Sequence, residues 1–340
     1  MERQINYLQA LREALLSEMR RDAKVVVLGE DVRHSLRGIT KGCHQEFGPE
    51  RIFDTPISEA AFVGMATGGA IAGLRPVVEF QIGTLIYVAL EQMVNQAQKL
   101  RYMMGGQGRI PVTYLVPGSG ARPGLAGQHS DHAYPSLLQG GMKVVIPSTP
   151  FDAKGLFTAA IREDDPVVVF APAASMSLKG PVPDEEVNVP LGVGELKRHG
   201  TDLTVLAVGP LVQQALKVAQ RLDPEGISVE VMDPRSLLPF DYELLASSIR
   251  RTGHLIVFDD SNRTCGFAAE IAAFAGENLF NSLKGPIVRI TRSDVPVPFS
   301  TGLDQHVLPQ GEQLEKAIRR ILGAKKDVLP LEIPIGTRRD

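Results

Sequence analysis

The 340-residue chain has two cysteines, Cys43 and Cys265. They are too few and too far apart in sequence for a disulfide framework or a zinc cluster, which fits a reducing compartment and two buried free thiols. Neither charge dominates: 36 basic against 39 acidic residues give a formal charge of −3. Scattered Lys and Arg form no basic stripe of the kind that tracks nucleic acid, so none is expected as a partner. No apolar run approaches the roughly 20 residues that span a bilayer, which excludes a transmembrane segment. A Walker-type phosphate loop is also missing. The opening MERQINYLQALREALLSEM interrupts its apolar positions with acids, unlike the unbroken apolar core of a signal peptide, and a cytoplasmic protein is expected.

What is present is globular, with 44% hydrophobic and 22% charged residues over a length sufficient for two ordinary cores. Leu8, Leu11, Leu15 and Met19 recur at helical spacing. Short β-branched runs at 24–28, 77–80, 112–116, 143–147 and 167–170 alternate with helical stretches, a pattern that predicts a parallel α/β sheet. A proline- and acid-rich stretch over 171–200 breaks the rhythm. The pattern then resumes, with strands predicted at 203–208, 228–232, 254–258 and 286–290 and helices near 212–222, 242–251 and 268–277. The expected division is therefore a first domain over 1–185, a linker over 186–200, a smaller α/β domain over 201–325 and an extended tail over 326–340.

The richest segment runs from Asp54-Thr-Pro-Ile57-Ser-Glu59 through Gly64, Ala66, Gly68, Gly69, Ala70 and Ala72 to Glu79-Phe80. So many small residues weaken a helix by roughly 1 kcal/mol per glycine, which close packing against another helix or a cofactor must recover. Glu59 stands just before that helix, where a carboxylate either caps the N-terminus, gaining from the helix dipole, or does chemistry.

This segment, with Gly29-Glu30-Asp31-Val32 upstream, closely resembles the beta subunits of the thiamine-diphosphate-dependent 2-oxo acid dehydrogenases, over about residues 1 to 325. Further matches follow in order: Glu91-Gln-Met-Val-Asn95, Tyr102-Met-Met-Gly-Gly106, Gln128-His129-Ser130, Lys143-Val-Val-Ile-Pro-Ser148 and Asp152-Ala-Lys-Gly-Leu156. Asp233-Pro-Arg-Ser-Leu-Leu-Pro239 and Gly266-Phe-Ala-Ala-Glu270 resemble the C-terminal, transketolase-like domain. The resemblance implies an α/β fold, a pyrimidine-type thiamine-diphosphate-binding parallel-sheet domain followed by the smaller transketolase C-terminal-like domain.

It implies roles too. Glu59 would hydrogen-bond the cofactor's aminopyrimidine and activate it, with Ile57, Gln81 and Leu85 around the ring. Glu30 would lie in an acidic path linking paired active sites; a solvated or capping acid is the plainer alternative. His129 would face the substrate, a task suited to a side chain that titrates near neutrality. His132 and Arg122 flank it as candidates for an anionic substrate group. Backbone carbonyls of Ala160, Ile161, Glu163 and Asp165 match a potassium-holding segment. The Gly-Asp-Gly motif with its distant Asn, which grips the diphosphate through magnesium, is missing. A separate alpha subunit would therefore carry it, in an alpha-two beta-two tetramer docked on a lipoyl acyltransferase core.

Departures from the pattern fall around the substrate. Leu85 replaces a phenylalanine, Gln81 and Gly83 replace residues that are often apolar or aromatic, and Ala61 replaces a glycine. Asp259-Asp260-Ser-Asn stands where relatives often have glutamates. The leading expectation is oxidative decarboxylation of a 2-oxo acid with acyl transfer to a lipoyl carrier. The alternatives are a two-subunit transketolase-like transferase, moving a two-carbon ketol unit from a ketose phosphate to an aldose or carrier protein, and a scaffold that keeps the fold.

Overall fold

The computed structural model describes residues 3–121 and 124–323. The tail expected over 326–340 and the candidate Arg122 lie outside the described residues. The described chain forms two compact units. One holds residues 3–121, 129–193 and 235–240, the other residues 124–128, 194–234 and 241–323.

In the first unit the strands are β1 (Gln4–Asn6), β2 (Val25–Gly29), β3 (Ile52–Asp54), β4 (Arg75–Glu79), β5 (Thr113–Ser119), β6 (Lys143–Val145), β7 (Val167–Pro172) and β8 (Lys179–Pro181). In the second unit they are β9 (Glu195–Arg198), β10 (Leu203–Ala207), β11 (Val229–Asp233), β13 (Leu255–Asn262) and β14 (Val288–Arg292). The short β12 (Ser236–Leu238) returns to the first unit, whose seven-stranded sheet has the order β12-β6-β7-β5-β4-β2-β3. Every pair in that sheet is parallel except β12 on β6. The five-stranded sheet runs β14-β13-β10-β11-β9, parallel except at its β9 edge. This is the two-unit α/β architecture that the alternating runs predict.

Local chemistry sets the elements. Asn6 and Gln9 form a capping box, Asn6 Oδ1 accepting from Gln9 N at 2.8 Å and Gln9 Oε1 from Asn6 N at 3.0 Å, which starts the Tyr7–Arg21 helix where the pattern begins. That helix buries Tyr7, Leu11, Leu15 and Met19 in one core with Leu156, Phe157 and Ile161 of the Pro150–Arg162 helix and with Val25, Val27 and Val77 of the sheet. The all-apolar strands Val25–Gly29 and Val167–Pro172 are buried throughout, as expected for parallel strands covered on both sides.

The expected linker over 186–200 is corrected by β9, an edge strand. Its polar Glu195, Lys197 and Arg198 are half-buried, so it carries no apolar run to betray it. Val187 and Val189, in the same stretch, pack into the first core. A second correction concerns the thiols: Cys43 is buried, but Cys265 is exposed, in the turn between β13 and the Phe267–Asn278 helix.

Candidate active site

Parallel α/β sheets gather ligand-binding groups beyond the carboxyl ends of their strands. Here β2 ends on Gly29 and delivers Glu30, β3 ends on Asp54 and leads to Glu59, β4 ends on Glu79 and leads to Gln81, and β5 ends on Ser119. Gly29 adopts φ 150°, and a Cβ there would lie 2.3 Å from the Glu79 carbonyl oxygen, so only glycine lets β2 and β4 close up at this point. The segment after β2 is pinned by Arg33, whose backbone N donates to Asp54 Oδ1 at 2.8 Å and whose Nε donates to the Ile52 carbonyl at 3.0 Å.

Glu59 opens the Glu59–Ile71 helix and is 6% exposed. Its predecessor Ser58 makes no side-chain cap bond, and the Glu59 carboxyl meets Glu30 instead of the helix amides. Burial raises the Glu30 pKa, and so, in decreasing measure, do the charges of Glu59 and Asp31 and a hydrogen bond shared with Glu59. Glu30 Oε1 is buried without a hydrogen-bond partner among the described residues. Two acids therefore share one corner, one of them disposed to retain its proton and to offer an unused oxygen.

Gln81 is buried and its amide is committed at both ends: Nε2 donates to the Glu30 carbonyl at 2.6 Å, and Oε1 accepts from Arg37 Nε at 3.0 Å. Leu85 is half-buried at the end of a tight turn, Gly83–Leu85, that approaches Ser119 and the Asp131 carbonyl. Ile57 is 84% exposed and lies on the chain's surface. His129 is half-buried in a second tight turn, Gly127–His129. His132 is buried against Tyr134 and Phe170, with ring centroids 5.3 and 6.3 Å away. Gly120, at φ 80°, admits it, since a Cβ there would lie 2.5 Å from His132 Nε2.

The small-residue helix buries Phe62, Val63, Ala66, Thr67 and Ala70 and leaves Met65 and Ile71 exposed. It packs on a helical stretch whose Glu91–Gln98 portion is π-helical, a form concentrated at functional sites. At the segment compared with a potassium cage, the Ala160 carbonyl accepts from Thr113 Oγ1 at 3.0 Å. The carbonyls of Ile161 and Glu163 both accept from Arg75 Nη1, at 3.1 and 3.0 Å. The Asp165 carboxylate pairs with Arg101 and Lys143. A carbonyl that accepts one such bond keeps a second lone pair.

Sequence reasoning passed over Arg37 and gave Glu79 no role. Arg37 sits in an irregular stretch with no periodic signal. Glu79 did carry one: an acid closing a run that is otherwise apolar and buried in a parallel sheet is out of place.

A parallel-sheet unit with an acid pair at its carboxyl edge, followed in sequence by a smaller α/β unit, is the layout of transketolase-type enzymes. Residues 3–177 match the family model "Transketolase, pyrimidine binding domain", and residues 192–314 match "Transketolase, C-terminal domain". The beta subunit of acetoin:2,6-dichlorophenolindophenol oxidoreductase from Bacillus subtilis is 40% identical, over 95% of this chain and 98% of that one. The beta subunit of the pyruvate dehydrogenase E1 component from the same organism is 36% identical, over 94% and 99%. A solved split-gene transketolase, described as an inactive beta4 tetramer, aligns with a TM-score of 0.77 at 24% identity, over 95% of this chain and 99% of that one, a likeness of fold. The chain belongs to the transketolase-like family of E1-type beta subunits of thiamine-dependent 2-oxo acid dehydrogenase components. Among the described residues no helix is long and apolar enough to cross a membrane.

Proposed function

We propose that this chain is the beta half of a cytoplasmic enzyme that uses thiamine diphosphate to cleave a 2-oxo acid or an α-hydroxyketone and passes the acyl group to a lipoyl carrier. The observation that carries the reading is Glu59, buried and hydrogen-bonded to Glu30 where β2 and β3 end. The residues suit the pyrimidine end of the cofactor: an acid pair with a buried oxygen lacking a protein partner offers a proton-holding contact for a ring nitrogen. When bound, thiamine diphosphate supplies the electron sink that stabilises a carbanion.

The protein's part is proton control and placement. Glu59 holds or returns a proton at the pyrimidine nitrogen. Glu30 keeps the local proton inventory high, its own proton being held more tightly than an ordinary glutamate's. Leu85 covers a ring face, Ile57 borders the site from the surface, and Gln81 fixes the Glu30 backbone. His129 faces the substrate.

The diphosphate and magnesium fall to an alpha subunit, and two alpha and two beta chains close the assembly by two-fold symmetry. The exposed face of the Glu59–Ile71 helix suits a subunit contact. A potassium ion on the carbonyls of Ala160, Ile161, Glu163 and Asp165 belongs to the same proposal, as does the division into a pyrimidine-binding domain over 1–185 and a second domain over 201–325. Acetoin is the donor to assay first, because the relative of that name is 40% identical along nearly the whole chain; pyruvate and branched-chain 2-oxo acids follow.

The test is Glu59→Gln, co-expressed with the alpha subunit. The variant should fold, assemble and bind thiamine diphosphate by calorimetry while losing turnover of every donor. Normal turnover in E59Q ends the assignment. Release of an aldose phosphate from a ketose phosphate, without acylation of a lipoyl domain, would move the chain to the transketolase class.

A further inference from the structure

One buried acid has no part in that reading. Glu79 closes β4 and is 0% exposed, and neither of its carboxyl oxygens has a hydrogen-bond partner among the described residues. Its backbone pairs with Gly29, the residue before Glu30. By the two-residue period of a strand its side chain shares the face of Val77, which lies in the core with Val27, Val32, Ile39 and Cys43. The neighbouring strands present Gly29 and Leu115 at its level, neither of which titrates. The segment after β2 presents the Arg37 guanidinium, and the Cys43–Phe47 helix presents the Cys43 thiol.

An acid in this setting keeps its proton. Burial pushes the Glu79 carboxyl up to about 8, and Arg37 offsets only part of that. Burial, and after it the charge of Glu79, push the Cys43 thiol up to about 12, so the thiol stays neutral. A buried neutral carboxyl has a proton to donate and lone pairs to fill, and such groups without protein partners bind internal water.

Arg37 links this acid to the catalytic corner. Its Nε donates to Gln81 Oε1 at 3.0 Å, and Gln81 Nε2 donates to the Glu30 carbonyl at 2.6 Å. The Glu30 carboxyl is the one that hydrogen-bonds Glu59.

We propose that Glu79 is a positioning residue for the Glu30–Glu59 pair: as a neutral, water-bound acid near Arg37 it lets that guanidinium hold Gln81, and so fixes the backbone from which Glu30 reaches Glu59. An ionised Glu79 competes for Arg37 and draws it from Gln81. The proposal rests on Glu59 being the activating acid, and it assigns the alkaline limit of activity to a residue that touches neither cofactor nor substrate.

The test uses the assembled enzyme with its alpha subunit, thiamine diphosphate and acetoin. In the infrared, the protonated-carboxyl stretch that Glu79→Gln deletes should be present at pH 7 and fade as pH passes about 8. Glu79→Ala should lower kcat roughly ten-fold or more with little change in KM, as misplacement of a reacting group does. E79Q should restore most of that loss and move the alkaline limb of kcat up by about one pH unit or more. An absent band, or an alkaline limb identical in E79Q and wild type, overturns the proposal. Should E79A fail to assemble, Arg37→Met carries the same test: it should reproduce the fall in kcat, and a wild-type kcat and pH profile in R37M overturns the proposal equally. Glu59→Gln separates the two readings. Turnover in E59Q ends the role of Glu59, whereas an inactive E59Q with an unmoved E79Q limb ends the role of Glu79 alone.

Discussion

Buried acids of the first unit are of two kinds. Glu18 and Asp152, 1% and 0% exposed, are matched by cations: Arg162 and Arg21 lie 2.6 and 2.7 Å from Glu18, and Arg235 lies 2.7 Å from Asp152. Glu59 and Glu79, 6% and 0% exposed, have no ion-pair partner among the described residues. The matched acids tie elements together. Glu18 joins the Tyr7–Arg21 helix to the Pro150–Arg162 helix, and Asp152 joins that second helix to the segment bearing β12. The unmatched acids stand where β3 gives way to a helix and where β4 ends, the edge at which this fold collects ligands. An acid matched by an arginine is architecture; a buried acid without an ion-pair partner is available for chemistry.

The largest effect that sharpens this contrast is expected at Glu59. Glu59→Gln keeps the shape of the side chain and removes its proton chemistry, so kcat should fall about 10²- to 10⁴-fold, the usual worth of a positioned acid or base. Its urea midpoint should stay near that of wild type. The converse holds at Glu18. Glu18→Gln removes the carboxylate that Arg162 and Arg21 share at a site 1% exposed, and removing one partner of a buried pair costs about 3 kcal/mol or more. That loss should appear as a lowered urea midpoint with thiamine diphosphate affinity intact in the assembled enzyme. A kcat deficit in E18Q equal to that in E59Q, at equal stability, would break the division. Asp152→Asn, which removes the carboxylate facing Arg235, should behave as E18Q does.

The two kinds of acid were not equally legible in the sequence. The alternating apolar runs gave the parallel sheets, because a strand buried on both sides must be apolar along its length; 203–208 and 167–170 fall on β10 and β7. Edge strands β1, β8, β9 and β12 were invisible, since three or four residues with one polar face carry no period. Motif order marked Glu59 and Glu30, yet spacing alone left Glu59 open between a helix cap and chemistry. What separates it from a cap is its contact with Glu30, 29 positions away in the sequence, which only the β2–β3 register creates. The Asp233-Pro-Arg-Ser motif was legible only by resemblance. It stands between second-unit elements in sequence, but its Arg235 carries an ion pair of the first unit. Gln81 was expected around the cofactor ring, and its hydrogen bonds to Glu30 and Arg37 carry no signal in the sequence.

The smallest effect is expected at Glu79 and concerns stability, apart from any turnover. An unfolded glutamate titrates near its ordinary 4.5, and the folded one is pushed up to about 8. Between those values the folded state holds a proton that the unfolded state has lost. Stability contributed by this group is therefore fully present below pH 4.5, falls as pH rises, and levels off above about 8. The slope is about 1.4 kcal/mol per pH unit within that window. Glu79→Gln has no such slope, so the difference between E79Q and wild type should move by about 1.4 kcal/mol in favour of the variant between pH 6 and pH 7. Urea unfolding of both proteins at both pH values reads this. If the difference between E79Q and wild type does not move between pH 6 and pH 7, Glu79 is charged in the folded protein and belongs with the matched acids after all.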